Sequence, residues 1–239
     1  NLALSAPAER QRTLLITSAK PEEGKTAVAI NLAVSIAQNN RKVLLVEANF
    51  HRPALRNFFP ATRPEGLSTL LVGQGQLADL ITPTDLPNLD VLTSGPIPPN
   101  PAELLAGKYM RNILREAQDT YDQILFDGPP ALLVSDALVL AGVLDGVVLV
   151  CRAKAASRGV VMRARDLLER ANIRIFGAVL NAAQVARGGY FREQIRTYYD
   201  YQPAEAIKAV SAPALPADGA DRNASPADDH KGPGSAGEP

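Results

Sequence analysis

The sequence predicts an α/β fold: a doubly wound, mostly parallel sheet with helices on both faces, followed by a disordered C-terminal tail. Three observations predict it. Short, nearly unbroken apolar runs alternate with helical patterns from Thr13 to Asn181, as in parallel sheets covered on both faces. The first run leads through Ser18-Ala19-Lys20-Pro21-Glu22-Glu23-Gly24-Lys25-Thr26 into an apolar helix pattern. Strand, loop ending in Gly-Lys-Thr, then helix is the context of a phosphate-binding P-loop. From Gln202 onward the composition shifts to Ala, Pro, Asp, Gly and Ser, too little apolar surface to offset ordering entropy. The expected division is a 1–201 domain and a 202–239 tail.

The elements follow in order. Leu14, Leu15 and Ile16 make a strand over Thr13–Thr17, and Ala27, Ile30, Leu32, Ala33 and Ile36 a helix over Lys25–Asn39. Val43–Glu47 is an apolar strand closed by an acid, and Leu67–Val72 a short helix. Leu89–Thr93 is the third strand. It runs into the proline-set loop Ser94–Pro101, and a proline there suits the first turn of a helix over Pro101–Thr120. Gln123–Asp127 and Gly146–Arg152 are strands, with a helix over Ser135–Ala141 between them. A helix over Ser157–Ala171 and a strand over Ile175–Asn181 complete the alternation.

Composition excludes several classes. Apolar residues make up 46% of the 239, and formal net charge is zero, so no general pull toward nucleic acid is expected. The single cysteine, Cys151, lies in an apolar strand, which excludes a disulfide framework and suits a reducing compartment. No apolar run approaches the roughly 20 residues needed to cross a bilayer. The first residue is Asn1 rather than Met, which leaves room for a longer product carrying a membrane segment.

The loop predicts a nucleotide site. Backbone N–H groups from Ala19 to Ala27, Pro21 excepted, and the helix N-terminus offer donors to phosphate oxygens. Lys25 would reach the terminal phosphates and Thr26 would place its hydroxyl on Mg²⁺. Ala19 stands where a Walker A loop wants glycine, and Glu22 and Glu23 sit where the backbone should cradle anions. A glutamate facing a triphosphate is repelled by roughly 4 kcal/mol per charge pair at close range; one pointing to solvent is largely screened.

Other strand ends supply further candidates, because strand C-termini line the ligand crevice of a doubly wound sheet. Glu47 and Asn49 share one face of an extended segment; Glu47 could hold a metal-bound water or accept a proton from an attacking hydroxyl. Ile124-Leu125-Phe126-Asp127-Gly128-Pro129-Pro130 has the Walker B arrangement, in which Asp127 acts on Mg²⁺ through water. Asn181 could read adenine with its amide or cap the turn that follows. Tyr190, Tyr198, Tyr199 and Tyr201 cluster just before the tail, as exposed phosphate acceptors or as an aromatic edge on the last helix.

With these motifs in hand, the chain resembles the cytoplasmic kinase domain of bacterial tyrosine kinases of capsule and exopolysaccharide production, within the MinD/ParA-type P-loop ATPases. The likeness rests on Ala19–Thr26, Val46–Pro53, Asp127–Pro130, Gly66-Leu67-Ser68, Ser94–Pro101 with Glu103-Leu104-Leu105, and Val134-Ser135-Asp136-Ala137. It implies an ATP- and Mg²⁺-dependent tyrosine autokinase with Lys25, Glu47 and Asp127 as catalytic residues. Thr26, Glu47, Asn49 and Asp127 would hold the metal, and Ala19–Ala27 with Asn181 the nucleotide. The C-terminal tyrosines would be the acceptors. It further implies a homo-oligomer at the cytoplasmic face of the plasma membrane, fused to or paired with a membrane protein that sets polysaccharide chain length.

Departures from the family pattern open two other readings. Glu22 replaces a glycine, Glu47 and Asn49 replace two aspartates, and His51 replaces an arginine. An asparagine cannot be a base, so a catalytically impaired regulator is one alternative. Lys20 falls where the MinD/ParA group carries its signature lysine, so a partition-type ATPase is the other.

Overall fold

The computed structural model describes residues 11–153 and 155–183. Its strands are β1 (Thr13–Ser18), β2 (Val43–Glu47), β3 (Thr82–Pro83), β4 (Leu89–Leu92), β5 (Gln123–Asp127), β6 (Gly146–Arg152) and β7 (Ile175–Asn181). They form one sheet in the order β3-β4-β2-β5-β1-β6-β7. All pairings are parallel except β3 with β4. The helices are α1 (Lys25–Ala37), α2 (Leu67–Leu71), α3 (Leu77–Leu80), α4 (Pro101–Ala106), α5 (Lys108–Thr120), α6 (Asp136–Ala141) and α7 (Arg158–Arg170).

Strand period two divides the core. On one face Leu15, Leu44, Val46, Ile124, Phe126 and Val147 pack with Leu67 and Leu71 of α2, Leu105 of α4, Met110 and Leu114 of α5, and Leu140 of α6. On the other, Leu14, Ile16, Val43, Leu45, Leu125, Val148 and Val150 receive Ala29, Ala33 and Ala37 of α1. Those alanines are four residues apart, so one stripe of small side chains faces the sheet. Cys151 is buried beside Ala19, Leu149, Val160 and Ala164.

Three features differ from expectation. The helix expected over Pro101–Thr120 is two helices, because Gly107 is extended at φ −73°, ψ 173° and breaks the backbone ladder between them. β3 is antiparallel and only two residues long, with Pro83 on the sheet edge where its missing N–H is harmless. Helix α3 and a 3₁₀ turn at Leu55–Asn57 are too short for a periodicity to announce them. Among the described residues no helix is long and apolar enough to cross a membrane. The tyrosines 190, 198, 199 and 201 and the 202–239 tail lie outside the described residues.

Candidate nucleotide site

The C-terminal ends of β1, β2, β5, β6 and β7 carry nearly every candidate residue. After Ser18 the chain turns through left-handed conformations at Glu22 (φ 62°) and Gly24 (φ 86°), then enters α1 at Lys25. Ser18 Oγ donates to the Lys20 carbonyl at 2.5 Å, Arg152 Nη1 to that of Glu22 at 3.1 Å, and Asn181 Nδ2 to that of Glu23 at 3.0 Å. Among the described residues, no hydrogen bond takes up the backbone N–H groups of Glu23, Gly24, Lys25 or Thr26. Open N–H groups at a turn and a helix start form an anion-binding concavity.

The two acidic side chains separate. The Glu22 side chain is 84% exposed and 3.9 Å from Arg52, so solvent screens most of its repulsion toward phosphate. Glu23 is buried; its Oε2 accepts the Lys20 N–H at 2.8 Å, while Oε1 has no partner among the described residues. The phosphate loop is therefore braced, not sealed, by its acids. At Glu22 a left-handed backbone strains a residue with a Cβ by about 1 kcal/mol. Glu22→Gly is expected to raise stability by roughly 0.5 kcal/mol after glycine's greater unfolded-state entropy is subtracted. Urea denaturation checks this, an unchanged or lower midpoint counting against it.

Lys25 and Asp127 meet at the base of the loop. Lys25 is buried, and burial lowers its pKa against the opposing pull of Asp127 and Glu23. Asp127 is 1% exposed, and its Oδ2 accepts Thr26 Oγ1–H at 2.6 Å while Oδ1 has no partner among the described residues. Burial pushes the Asp127 pKa up to about 7, with Thr26 and Lys25 opposing and Glu47 adding to the rise. An orphaned buried carboxylate oxygen beside a hydroxyl, a buried ammonium and open N–H groups fits a nucleotide polyphosphate with a hydrated divalent cation. Asp-Gly-Pro-Pro is fixed by close packing: a Cβ on Gly128 would lie 2.4 Å from Leu15 Cδ1. Thr17 Oγ1 donates to the Pro129 carbonyl at 2.6 Å.

Glu47 and Asn49 both bond to backbone at the end of β2. Glu47 is 1% exposed, and its Oε1 accepts the N–H of Ala54 and, at 2.8 Å, that of Leu55. Its Oε2 accepts the Ser94 N–H at 3.2 Å. These three backbone bonds give Glu47 a structural role, and with about four lone-pair sites on a carboxylate they leave one for a metal-bound water. Asn49 Nδ2 donates to the Arg52 carbonyl at 3.0 Å, a local turn contact that leaves Oδ1 as an acceptor. Among the described residues no group of three or more His, Cys, Asp or Glu is arranged to hold a metal.

Asn181 is also committed. Its Nδ2 reaches the Glu23 carbonyl and its Oδ1 accepts the Ala182 N–H at 2.8 Å, so its amide braces the phosphate loop and caps the turn that follows. Lys20 is exposed and its ammonium has no partner among the described residues. Of the tyrosines described, Tyr121 is buried and donates to Asp90 Oδ2 at 2.7 Å, its pKa raised by burial and by that carboxylate. It is no accessible acceptor.

Sequence reasoning missed two contributors. Arg152 closes an apolar strand at the crevice edge, and that position was its only signal. The Asp136 carboxylate, 2.8 Å from His51 Nε2, ties the segment after β2 to the start of α6. The signature segments Gly66-Leu67-Ser68 and Ser94–Pro101 meet in space. Leu67 N donates to Thr93 O at 2.8 Å and Ser68 N to Ser94 O at 2.9 Å. A Cβ on Gly66 would lie 2.1 Å from Thr93 O, so only glycine fits there.

Known proteins share the fold. Residues 11–170 match the family described as AAA domain. Tyrosine-protein kinase YwqD of Bacillus subtilis (strain 168) is 37% identical over 187 residues, covering 78% of this chain and 79% of that protein. The kinase domain of Escherichia coli tyrosine kinase ETK superposes with a TM-score of 0.71 at 38% identity, over 76% of this chain and 71% of that one. The Pyrococcus furiosus cell division ATPase MinD does so at 0.61 and 26%, over 83% and 78%. The open donors of the loop suit a nucleotide's phosphates, and the chain belongs to the bacterial tyrosine-protein kinases, a branch of the P-loop ATPases.

Proposed function

We propose that the protein is an ATP- and Mg²⁺-dependent tyrosine autokinase that regulates capsule or exopolysaccharide synthesis and export. The observation that carries this reading is the Thr26–Asp127 contact at 2.6 Å beneath a loop whose N–H groups at Glu23, Gly24, Lys25 and Thr26 have no partner among the described residues. Those N–H groups and Lys25 bind and orient the phosphates, and Thr26 and Asp127 hold the hydrated cation. Mg²⁺, when bound, neutralises charge on the transferring phosphoryl group. Transfer of this type depends on positioning and charge more than on a base, so the engagement of Glu47 elsewhere does not exclude it. The acceptors are tyrosines 190, 198, 199 and 201. In this reading the domain works as a homo-oligomer at the cytoplasmic face of the plasma membrane. Its partner is a membrane protein that sets polysaccharide chain length, fused or separate.

Incubating the protein with labelled ATP and Mg²⁺ and mapping phosphotyrosine tests the proposal. Label is expected on the C-terminal tyrosines and is expected to fall at least about 100-fold in Lys25→Ala. Measurable ATP binding with no label on tyrosine overturns it. That outcome would favour a catalytically impaired regulator, a reading supported by the backbone contacts of Glu47 and by the carboxylate missing at Asn49.

A further inference from the structure

We infer that Arg152 and Asn181 are positioning residues that set the backbone of the phosphate loop; the inference rests on the nucleotide reading above. The two are register partners at the ends of β6 and β7, so their side chains leave the same face of the sheet. It is the face of Val148 and Val150, which also receives α1. From there they reach consecutive carbonyl oxygens, Arg152 that of Glu22 and Asn181 that of Glu23.

A trans peptide holds its N–H antiparallel to its C=O. Drawing the Glu22 carbonyl toward Arg152 therefore turns the Glu23 N–H to the opposite side, and drawing the Glu23 carbonyl toward Asn181 does the same for Gly24. Those two N–H groups have no partner among the described residues. The left-handed φ values at Glu22 and Gly24, either side of Glu23, let consecutive peptides share one orientation. Asn181 also fills the space beside Gly24: a Cβ there would lie 2.0 Å from its Nδ2. Two strand-end side chains thus fix the direction in which the loop presents its donors before any ligand arrives. Neither needs to touch the ligand.

Calorimetric titration of ADP with Mg²⁺ into wild type, Arg152→Ala and Asn181→Ala tests the inference. Each substitution is expected to weaken binding about tenfold, the scale of one hydrogen bond of net positioning. The loss is expected to persist in about 0.5 M salt, where attraction between a guanidinium and phosphate is screened to a few ångströms. In ATP-dependent assays KM should rise about tenfold, with kcat within about threefold. Arg152 is exposed, so Arg152→Ala is decisive even if Asn181→Ala does not fold. Arg152→Ala binding within about twofold of wild type, or a deficit that vanishes in high salt, overturns the positioning role. Wild type that binds no ADP at millimolar concentration overturns the nucleotide reading itself.

Discussion

Asp127→Asn is expected to lower tyrosine phosphorylation by about a thousandfold while making the nucleotide-free protein more stable above neutral pH. The loss of activity follows from removing the buried carboxylate beside Thr26 that holds the cation, an electrostatic contribution of roughly 3–4 kcal/mol. The gain in stability follows from the same burial. A carboxyl raised from 3.8 to about 7 binds its proton more tightly in the folded than in the unfolded chain. Its contribution to stability is fully present below pH 3.8 and is lost as pH rises through about 7. Asparagine carries no charge to desolvate and can still accept from Thr26 Oγ1. At pH 8 the variant should gain on the order of 2 kcal/mol over wild type, and close to nothing at pH 4. Denaturant titrations at the two pH values, without nucleotide, check the sign. A variant less stable than wild type at pH 8 would show that Asp127 is held as a stabilising anion.

Glu47→Ala should do the opposite to stability. Glu47 and Asp127 are register partners on adjacent strands, yet their surroundings differ in kind. Asp127 has one unpartnered oxygen, whereas Glu47 satisfies the N–H groups of Ala54, Leu55 and Ser94. Removing that acceptor leaves buried donors without partners, at about 1–3 kcal/mol each before relaxation. A net loss of about 3 kcal/mol is expected, with activity reduced because both loops that Glu47 joins border the crevice. Glu47→Gln separates structure from chemistry. Its amide must set N–H against one backbone donor, so it should lose about 1–2 kcal/mol. If Glu47 were instead the catalytic base, the glutamine variant would retain its melting temperature and lose turnover alone. Measuring both on one preparation decides between the two.

Much of this was legible in the sequence. The bounds of β2, β5, β6 and β7 were readable to the residue, because each is an apolar run stopped by an acid, an arginine or an asparagine at the crevice. The phosphate loop and Asp127 were readable because strand, turn and residue type agree locally. What could not be read was the partner of each polar side chain. Glu47 differs from an aspartate by one methylene, and the partners of its carboxylate depend on where Ala54 and Ser94 lie after folding. Asn181 looked suited to a base because its amide both donates and accepts; in the fold one bond of each kind goes to backbone. Glu22 and Glu23 were indistinguishable in the sequence, and their opposite fates follow from a left-handed backbone at one of them.

The fit of Gly66 against Thr93 has a mechanical consequence. Helix α2 starts on the carbonyls of Thr93 and Ser94, and the Ser94 N–H rests on Glu47. Three contacts thus join Glu47, the segment after β4 and the first turn of α2, so a side chain added at Gly66 would displace the backbone that Glu47 holds.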